Sequence, residues 1–348
     1  MLDFFEKYNL IDNRVAVGVS GGADSLALVL MLKDAGKDVV ALTVDHCLRK
    51  ESAKEAEYVA ELMKKYGIEH HILRWENGVN VKKSIEENAR AARYDLMFDF
   101  CRNHNIKLLA VAHHLRDQAE TFLMRLQRGS GLFGLSSMMP VSRRDGIILI
   151  RPLLDVCPED LKEYCKAKNV EWVEDPMNDD DDFSRVKIRK FLPQLKQIGI
   201  DEAKLAATAK NLQNSRIFIQ ELIDEFLTAQ VRWWDGVLVS LNYTKLKKLH
   251  LEISKGVLGC LLQQIGKTDY LPEMSEIIRF LTDDNFKGCT LGKCELFIAS
   301  KRLWIIPQDE KNELMTIDEW SEFVEKFPQY KNYGLPYKVR RALKQKIG

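Results

Sequence analysis

The sequence predicts an α/β protein, in which a parallel sheet flanked by helices is followed by a smaller α-rich second domain. Two observations favour this class. Over the first half of the chain, short apolar segments typical of buried strands alternate with segments of helical periodicity. Past residue 195, apolar residues recur mainly at helical spacing. Strands and helices that alternate in this way form βαβ units, whose strands are parallel.

The elements of the first half are predicted in chain order. Strands are expected at 15–19, 38–44, 69–73 and 107–112, and helices at 26–32, 52–66, 85–103 and 117–127. In a parallel sheet, ligands bind outside the carboxyl ends of the strands. Ser20, Asp45 and His113 each come at the end of a predicted strand, so we expect all three at that edge.

The second half is predicted to add two further regions, which gives the domains 1–195, 196–308 and 309–348. Asp201 is expected to cap a helix that runs to Phe226, and another helix is expected at 246–265. Alternating apolar residues predict a hairpin at 293–306. The last region is predicted as an acidic linker followed by a basic C-terminal segment.

Composition limits the classes of protein that the chain can represent. Its 348 residues suffice for two or three domains, and 46% of them are hydrophobic while 30% are charged. The start of the chain has no basic segment followed by an uncharged apolar core, so we expect a cytoplasmic protein with no membrane segment. The seven cysteines include no Cys-x-x-Cys pair. We interpret them as reduced thiols.

The turn after the first strand has the pattern of a phosphate site. It consists of Ser20, Gly21, Gly22, Ala23, Asp24 and Ser25. Glycines let the backbone approach a ligand, and the N–H groups at a helix start attract anions. The turn lacks the Gly-Lys-[Ser/Thr] end of a Walker A loop. Asp24 beside phosphates implies a divalent cation, or a contact with a substrate amine or hydroxyl. The alternative, an ordinary tight turn, is disfavoured by the length of the ordered pattern.

A second cluster of polar residues lies at 112–121. Asp117 and Glu120 are three residues apart at a helix start, so both carboxylates lie on one face. The helix dipole also stabilises carboxylates there, which is a purely structural explanation. His113 and His114 with Asp117 would suit a metal cluster, but no further Cys or His follows at ligand spacing. Metal ligation is therefore disfavoured.

Positive charge is unevenly distributed, although the net charge is only +1. Lys and Arg dominate 184–216 and 331–348, a distribution typical of binding to a nucleic-acid phosphate backbone. The alternative is a solvated helix face. Arginines also predominate between the second cluster and residue 151, where we expect a flexible basic loop around Arg128 that closes over phosphates or holds RNA.

These motifs resemble known families. The turn at 20–25 is similar to the PP-loop of N-type ATP pyrophosphatases, which cleave ATP between the α and β phosphates and transfer AMP to an oxygen. Residues 112–121 resemble the AHHxDDQAET motif of the tRNA(Ile)-lysidine synthases. Further segments similar to that family lie at 45–56, 90–94, 128–135, 151–154 and 175–193. The resemblance covers about residues 10 to 195 and fades beyond them.

The resemblance implies a Rossmann-like, adenine nucleotide alpha hydrolase-like fold and a defined reaction. Such an enzyme ligates free L-lysine to C2 of the wobble cytidine in the CAU anticodon of tRNA(Ile). The reaction passes through an adenylated tRNA and releases pyrophosphate and AMP, and it changes the codon read from AUG to AUA. The resemblance further implies ATP with Mg²⁺ as cofactors and tRNA(Ile) and lysine as partners. A homodimer is left open.

Roles for individual residues follow from the resemblance. ATP binding is assigned to Ser20, Gly21, Gly22, Ala23, Asp24, Ser25, Asp45 and His113. Contacts to tRNA or phosphate are assigned to Arg90, Arg93, Arg128, Arg185 and Arg189. Asp24, Asp117 and Glu120 are the catalytic candidates. Asp24 would hold Mg²⁺ or order the loop, and the other two would orient either the lysine ammonium or the cytidine ring.

The chain departs from the family pattern at three positions. Cys47 replaces Gly, Arg116 replaces the first Asp of an Asp pair, and Val186 replaces Asn. Two other hypotheses remain. Another PP-loop enzyme, which thiolates or amidates a tRNA or nucleotide, would need paired cysteines, a sulfur carrier or a glutaminase domain. A catalytically silent tRNA-binding relative is disfavoured by the intact turn at 20–25.

Overall fold

The computed structural model describes residues 1–45, 51–75, 85–173, 184–268, 272–283, 285–308 and 314–347. Cys47 and the motif residues 175–178 lie outside these ranges. The chain divides into two compact units, Met1–Asn214 and Ser215–Gly348. In the described part of the chain, no helix combines the length and apolar character that a membrane span requires.

The first unit contains a six-stranded sheet with helices on both faces. Its strands are β1 (Arg14–Gly18), β2 (Asp38–Asp45), β3 (Glu69–Arg74), β4 (Leu108–Ala110), β5 (Val141–Arg144) and β6 (Ile147–Ile150). Its helices are α1 (Leu2–Lys7), α2 (Ala23–Asp34), α3 (Glu51–Lys65), α4 (Ile85–Asn103), α5 (Leu115–Gln127), α6 (Leu132–Leu135), α7 (Pro158–Ala167) and α8 (Ser184–Gln197). Helix α9 (Glu202–Gln230) crosses into the second unit.

The strand order β3-β2-β1-β4-β6-β5 confirms the predicted parallel sheet. All neighbours are parallel except β5, which runs antiparallel to β6. Strand β1 lies between β2 and β4, so the direction of the strand order reverses at β1. Loops that leave the carboxyl ends of β1 and β4 therefore flank a crevice where parallel sheets bind ligands.

The apolar side chains of β1 alternate between two cores. Val15 and Val17 pack with Leu26 and Leu28 of α2, and Ala16 packs with Met97 of α4 on the opposite face. A strand that is covered on both faces must be apolar throughout. This requirement accounts for the continuous apolar run that precedes Ser20.

The β5–β6 hairpin is absent from our sequence-based prediction. It turns at Asp145 and Gly146, whose φ angles are 51° and 81°. An Asp-Gly pair with two positive φ angles is typical of a tight two-residue hairpin turn. The Asp-Gly signal was therefore present in the sequence, directly before the apolar segment at 147–150.

The second unit combines helices with a five-stranded antiparallel sheet. After β7 (Val231–Trp234) and β8 (Leu238–Leu241) come α10 (Tyr243–Lys247), α11 (Leu251–Gly266), α12 (Met274–Thr282), β9 (Gly288–Leu291), β10 (Cys294–Ala299), β11 (Arg302–Pro307), α13 (Ile317–Lys326), a 3-10 turn (Pro328–Tyr330) and α14 (Tyr337–Ile347). The sheet order is β7-β8-β11-β10-β9. The predicted hairpin is β10–β11, whereas the helix expected at 246–265 is interrupted between α10 and α11. The C-terminal helices contribute to the core through Phe323, Val339 and Leu343.

Candidate active site

The turn at 20–25 connects β1 to α2 and is closed by a serine hydroxyl. Ser25 Oγ accepts a hydrogen bond from Ser20 N at 3.1 Å and donates one to Gly22 O at 3.0 Å. Gly21 has φ +87°, and a Cβ there would lie 3.3 Å from Val59 Cγ2. Both the backbone conformation and the limited space therefore require glycine.

Helix α2 starts at Ala23 with Gly22 as its N-cap residue. Because glycine has no side chain, no cap of its own satisfies the first N–H groups of this helix. These groups carry the positive end of the helix dipole. The start of α2 can therefore receive phosphate oxygens, as the sequence pattern predicts.

Asp24 lies in the first turn of α2 and faces the loop that leaves β4. Its Oδ2 is 3.5 Å from His114 Nε2. Its Oδ1 is buried and has no hydrogen-bond partner among the described residues. One carboxylate oxygen next to a phosphate cradle suits Mg²⁺, which proteins often hold through one or two carboxylates together with substrate phosphates.

His114 joins the two motifs. It is the N-cap of α5, where its Nδ1 accepts from Asp117 N at 3.3 Å and its own N–H donates to Asp117 Oδ2 at 3.0 Å. This reciprocal cap places the start of α5 at Leu115, two residues before the predicted start. Burial lowers the pKa of His114, but the carboxylates of Asp24 and Asp117 outweigh it, so the pKa lies above its usual value.

Glu120 lies one turn beyond Asp117 and is only 1% exposed. Its Oε1 accepts from Arg189 Nε of α8 at 2.8 Å, while its Oε2 has no partner among the described residues. Burial raises the pKa of Glu120 in spite of the Arg189 guanidinium. The site thus holds a carboxylate that is costly to ionise and has one acceptor oxygen available.

His113 lies among arginines. Burial, reinforced by the positive charges of Arg151, Arg90, Arg93 and Arg185, holds the pKa of His113 well below its usual value. Its imidazole is therefore neutral at pH 7. The Tyr94 hydroxyl is hydrogen-bonded to Arg93 and Arg151. Helix α4, the residue that follows β6 and helix α8 together surround His113 with cations that suit an anionic ligand.

Of the remaining predicted site residues, Arg128 lies apart from this group, whereas Asp45 is at the carboxyl end of β2, next to β1, as expected. Arg128 is exposed at the C-cap of α5, roughly 16 Å along the helix axis from Asp117. Asp45 is buried at the end of β2, where its carbonyl oxygen accepts from Trp75 N at 2.9 Å. The expected basic loop is also divided, because Arg143 and Arg144 belong to β5 and Arg151 is largely buried after β6.

Sequence reasoning missed three contributors to the site, namely His114, Tyr94 and Arg151. His114 is the N-cap of the observed helix, but it stands three residues before the predicted start at Asp117, so the sequence pattern did not mark it as a cap. Arg151 and Tyr94 belong to motifs that we quoted without assigning them a role. Arg116, the residue that departs from the family pattern, points elsewhere and bonds Glu202 at 2.6 Å and Glu159 at 2.5 Å.

Comparison with known proteins identifies the family. A model of the PP-loop domain matches residues 2–195. A tRNA(Ile)-lysidine synthase of Wolbachia pipientis is 34% identical over 88% of this chain and 73% of its own length. The chain belongs to the tRNA(Ile)-lysidine synthase family. A tRNA(Ile)-lysidine synthase of Ruegeria pomeroyi is 35% identical over 88% of this chain and 74% of its own length.

A solved structure agrees with the fold. The U34-tRNA thiolase NcsA from Methanococcus maripaludis superposes with a TM-score of 0.51, at 17% identity, over 59% of this chain and 73% of its own. At this identity the likeness supports the PP-loop fold and says nothing about the substrate. The assignment to the lysidine synthase family therefore depends on the sequence relatives.

Proposed function

We propose that the chain is an ATP-dependent ligase that attaches free L-lysine to C2 of the wobble cytidine in the CAU anticodon of tRNA(Ile). The observation that carries the proposal is the convergence of two family motifs at the carboxyl ends of β1 and β4, where Asp24 and His114 meet. The converted anticodon would read AUA instead of AUG. We expect the reaction to take place in the cytoplasm.

The first half-reaction would transfer AMP to the tRNA. The cytidine C2 oxygen attacks the α-phosphorus of ATP, an O–P bond forms, and the bond to pyrophosphate breaks. The N–H groups at the start of α2 would stabilise the phosphate charge, since they are oriented before the substrate arrives. Ser20, Gly21, Gly22, Ala23 and Ser25 shape this cradle, and Asp24 would hold the Mg²⁺ that neutralises the triphosphate.

The second half-reaction would form the C–N bond. The lysine amine attacks C2, AMP leaves with the former C2 oxygen, and the amine loses a proton. Asp117 and Glu120 are suited to hold the lysine ammonium or the cytidine ring, because one Glu120 oxygen is buried with no partner in the described part of the chain. Neutral His113 would donate one hydrogen bond to a bound nucleotide or accept one from it. Arg90, Arg93, Arg185 and Arg189 would contact pyrophosphate or the tRNA backbone.

The test is a ligation assay with an unmodified tRNA(Ile) transcript that carries the CAU anticodon. We expect AMP release and incorporation of labelled lysine to require ATP, lysine and this transcript together. A tRNA(Met) transcript has the same triplet and serves as the matched control substrate. AMP release without lysine incorporation would instead indicate a different nucleophile and would refute the proposed reaction.

A further inference from the structure

An arginine of the second unit lies against two aromatic rings. Arg232 lies on β7, an edge strand of the antiparallel sheet, and its side chain is exposed. Its guanidinium carbon is 4.2 Å from the ring centroid of Trp234 and 4.4 Å from that of Tyr333. The two rings meet edge to face, with centroids 5.1 Å apart. Such a cation–π contact holds the guanidinium without using its N–H donors.

A second arginine lies beside it. Arg302 of β11 donates from Nε to Ser240 Oγ at 3.1 Å and from an Nη to Ser240 O at 2.9 Å. Arg232 is the register partner of Ser240 across β7 and β8, and Arg302 bonds the same Ser240, so the two cations are neighbours. Burial and the charge of Arg232 both lower the pKa of Arg302.

The described residues offer this cation pair no carboxylate. Neither Arg232 nor Arg302 forms a salt bridge within the part of the chain that the structure describes. The acid nearest to Arg232 along β7, Asp235, instead accepts the hydroxyl of Tyr330. Two neighbouring cations without an anion repel each other, and a bound anion would relieve that repulsion.

We propose that Arg232, Arg302 and Tyr333 form an RNA-binding platform of the second unit. Tyr333 is 47% exposed, so part of its ring surface is accessible to a nucleotide base. Bases stack on aromatic rings and on guanidinium planes, and arginine N–H groups bind phosphate in pairs. The platform would hold nucleotides of the tRNA other than the reacting cytidine, and this identification of the ligand rests on the proposed function.

RNA is the ligand that suits these residues better than an acidic protein segment. An acidic partner needs cations only, whereas the platform combines cations with a half-exposed ring that presents a flat stacking surface. Single-stranded or frayed nucleotides supply both a flat base and a phosphate at neighbouring positions. The platform therefore recognises a nucleotide rather than a carboxylate alone.

The experiment measures affinity for a fluorescent tRNA(Ile) transcript by anisotropy at two salt concentrations. Arg232→Ala and Tyr333→Leu should each weaken binding on the order of tenfold, since one stacked base contributes about 1–3 kcal/mol. Arg232→Lys keeps the charge but loses the planar stack, so it should also weaken binding. Tyr333→Phe keeps the ring and should bind like the parent protein.

Arg279→Ala is the matched control, because Arg279 is an exposed arginine of α12 in the same unit. It removes the same charge outside the platform and should change affinity little. Equal affinities for Arg232→Ala and Arg279→Ala would overturn the platform. If Arg232→Ala fails to fold, Arg232→Lys and Tyr333→Leu decide the question in the same way. Lysine ligation by the parent protein is measured separately, so loss of the proposed function and loss of the platform are distinguishable.

Discussion

Asp24 is the residue on which nucleotide chemistry should depend most. Its Oδ1 is buried without a partner among the described residues, so this oxygen contributes little to the stability of the protein alone. We expect Asp24→Asn to reduce AMP release by about a hundredfold or more, because it removes the carboxylate charge that we propose holds Mg²⁺ on the triphosphate. Binding of tRNA should stay nearly unchanged.

The control for this change is Asp38→Asn, which neutralises an exposed carboxylate 3.6 Å from Arg14. It should leave both AMP release and tRNA affinity at the parent level. Normal AMP release by Asp24→Asn would show that the turn at 20–25 is not the nucleotide site. The measurement is chromatographic detection of AMP over time, together with tRNA binding by filter retention.

We predict that the ionisation of Glu120 makes the free energy of unfolding depend on pH. Its pKa is raised in the native protein, because burial outweighs Arg189, so the native state binds the proton more tightly than the unfolded state. The resulting stabilisation is present below the unfolded pKa and is lost as the pH rises through the native pKa. Relative to Glu120→Gln, the parent protein should therefore lose stability between acidic and neutral pH.

Urea unfolding of both proteins at a series of pH values measures this difference. Glu163→Gln is the control, because Glu163 is an exposed glutamate of α7. Its stability difference from the parent should vary little with pH. If the parent protein instead gained stability relative to Glu120→Gln as the pH rises, Glu120 would be stabilised as the carboxylate.

At the scale of elements, Arg116 connects three helices. It lies on α5 and bonds Glu159 of α7 and Glu202 of α9. These charge-assisted bonds are partly exposed, and we expect Arg116→Ala to reduce the free energy of unfolding by about 1–2 kcal/mol. Arg116→Asp restores the acid usual in the family and should destabilise more, because it faces two glutamates.

Thermal unfolding monitored by circular dichroism tests this ordering. Arg125→Ala on the exposed part of α5 is the matched control and should be nearly neutral. If Arg116→Asp were as stable as the parent, the contacts of Arg116 with α7 and α9 would contribute nothing to the free energy of unfolding. Ligation activity of the folded variants would then show whether an acid at this position takes part in the reaction.

The elements that sequence patterns predict best are those set by neighbouring residues. The apolar run of β1 and the cap of Asp201, which accepts from Lys204 N at 2.8 Å, depend on local spacing. The contacts of Arg116 could not be predicted, because its partners are distant in sequence. The same holds for the bond between Arg189 and Glu120, although both residues were singled out as site candidates. Periodicity indicates the faces of helices but not which helices meet.

At the scale of the whole molecule, the basic C-terminal segment packs apolar side chains into the core of the second unit and leaves basic side chains exposed. Leu343 of α14 is fully buried, whereas Lys346 is exposed. We expect Leu343→Ala to destabilise the second unit by about 2–5 kcal/mol, as is usual for a truncated core leucine. Lys346→Ala should be nearly neutral for stability.

Tryptophan fluorescence during urea unfolding reports on this unit, because Trp234 and Trp304 lie in the same core as Leu343. A Leu343→Ala protein with an unchanged unfolding midpoint would contradict the packing of α14. Removal of α13 and α14 would likewise expose this core. Loss of tRNA binding after such a truncation would therefore reflect unfolding of the second unit and not the loss of a binding site. Single substitutions are therefore the informative test of RNA recognition by the second unit.

The reactivity of the Cys165 thiol reports on motion beneath the turn at 20–25. It is fully buried on α7 and lies 3.4 Å from Ala23 O, directly under the start of α2. Burial also raises the pKa of this thiol to about 11, so little reactive thiolate exists at neutral pH. Alkylation of Cys165 requires α2 and α7 to separate briefly. Mass spectrometry of time-resolved alkylation should show this site reacting far more slowly than exposed Cys289, and more slowly still with ATP present.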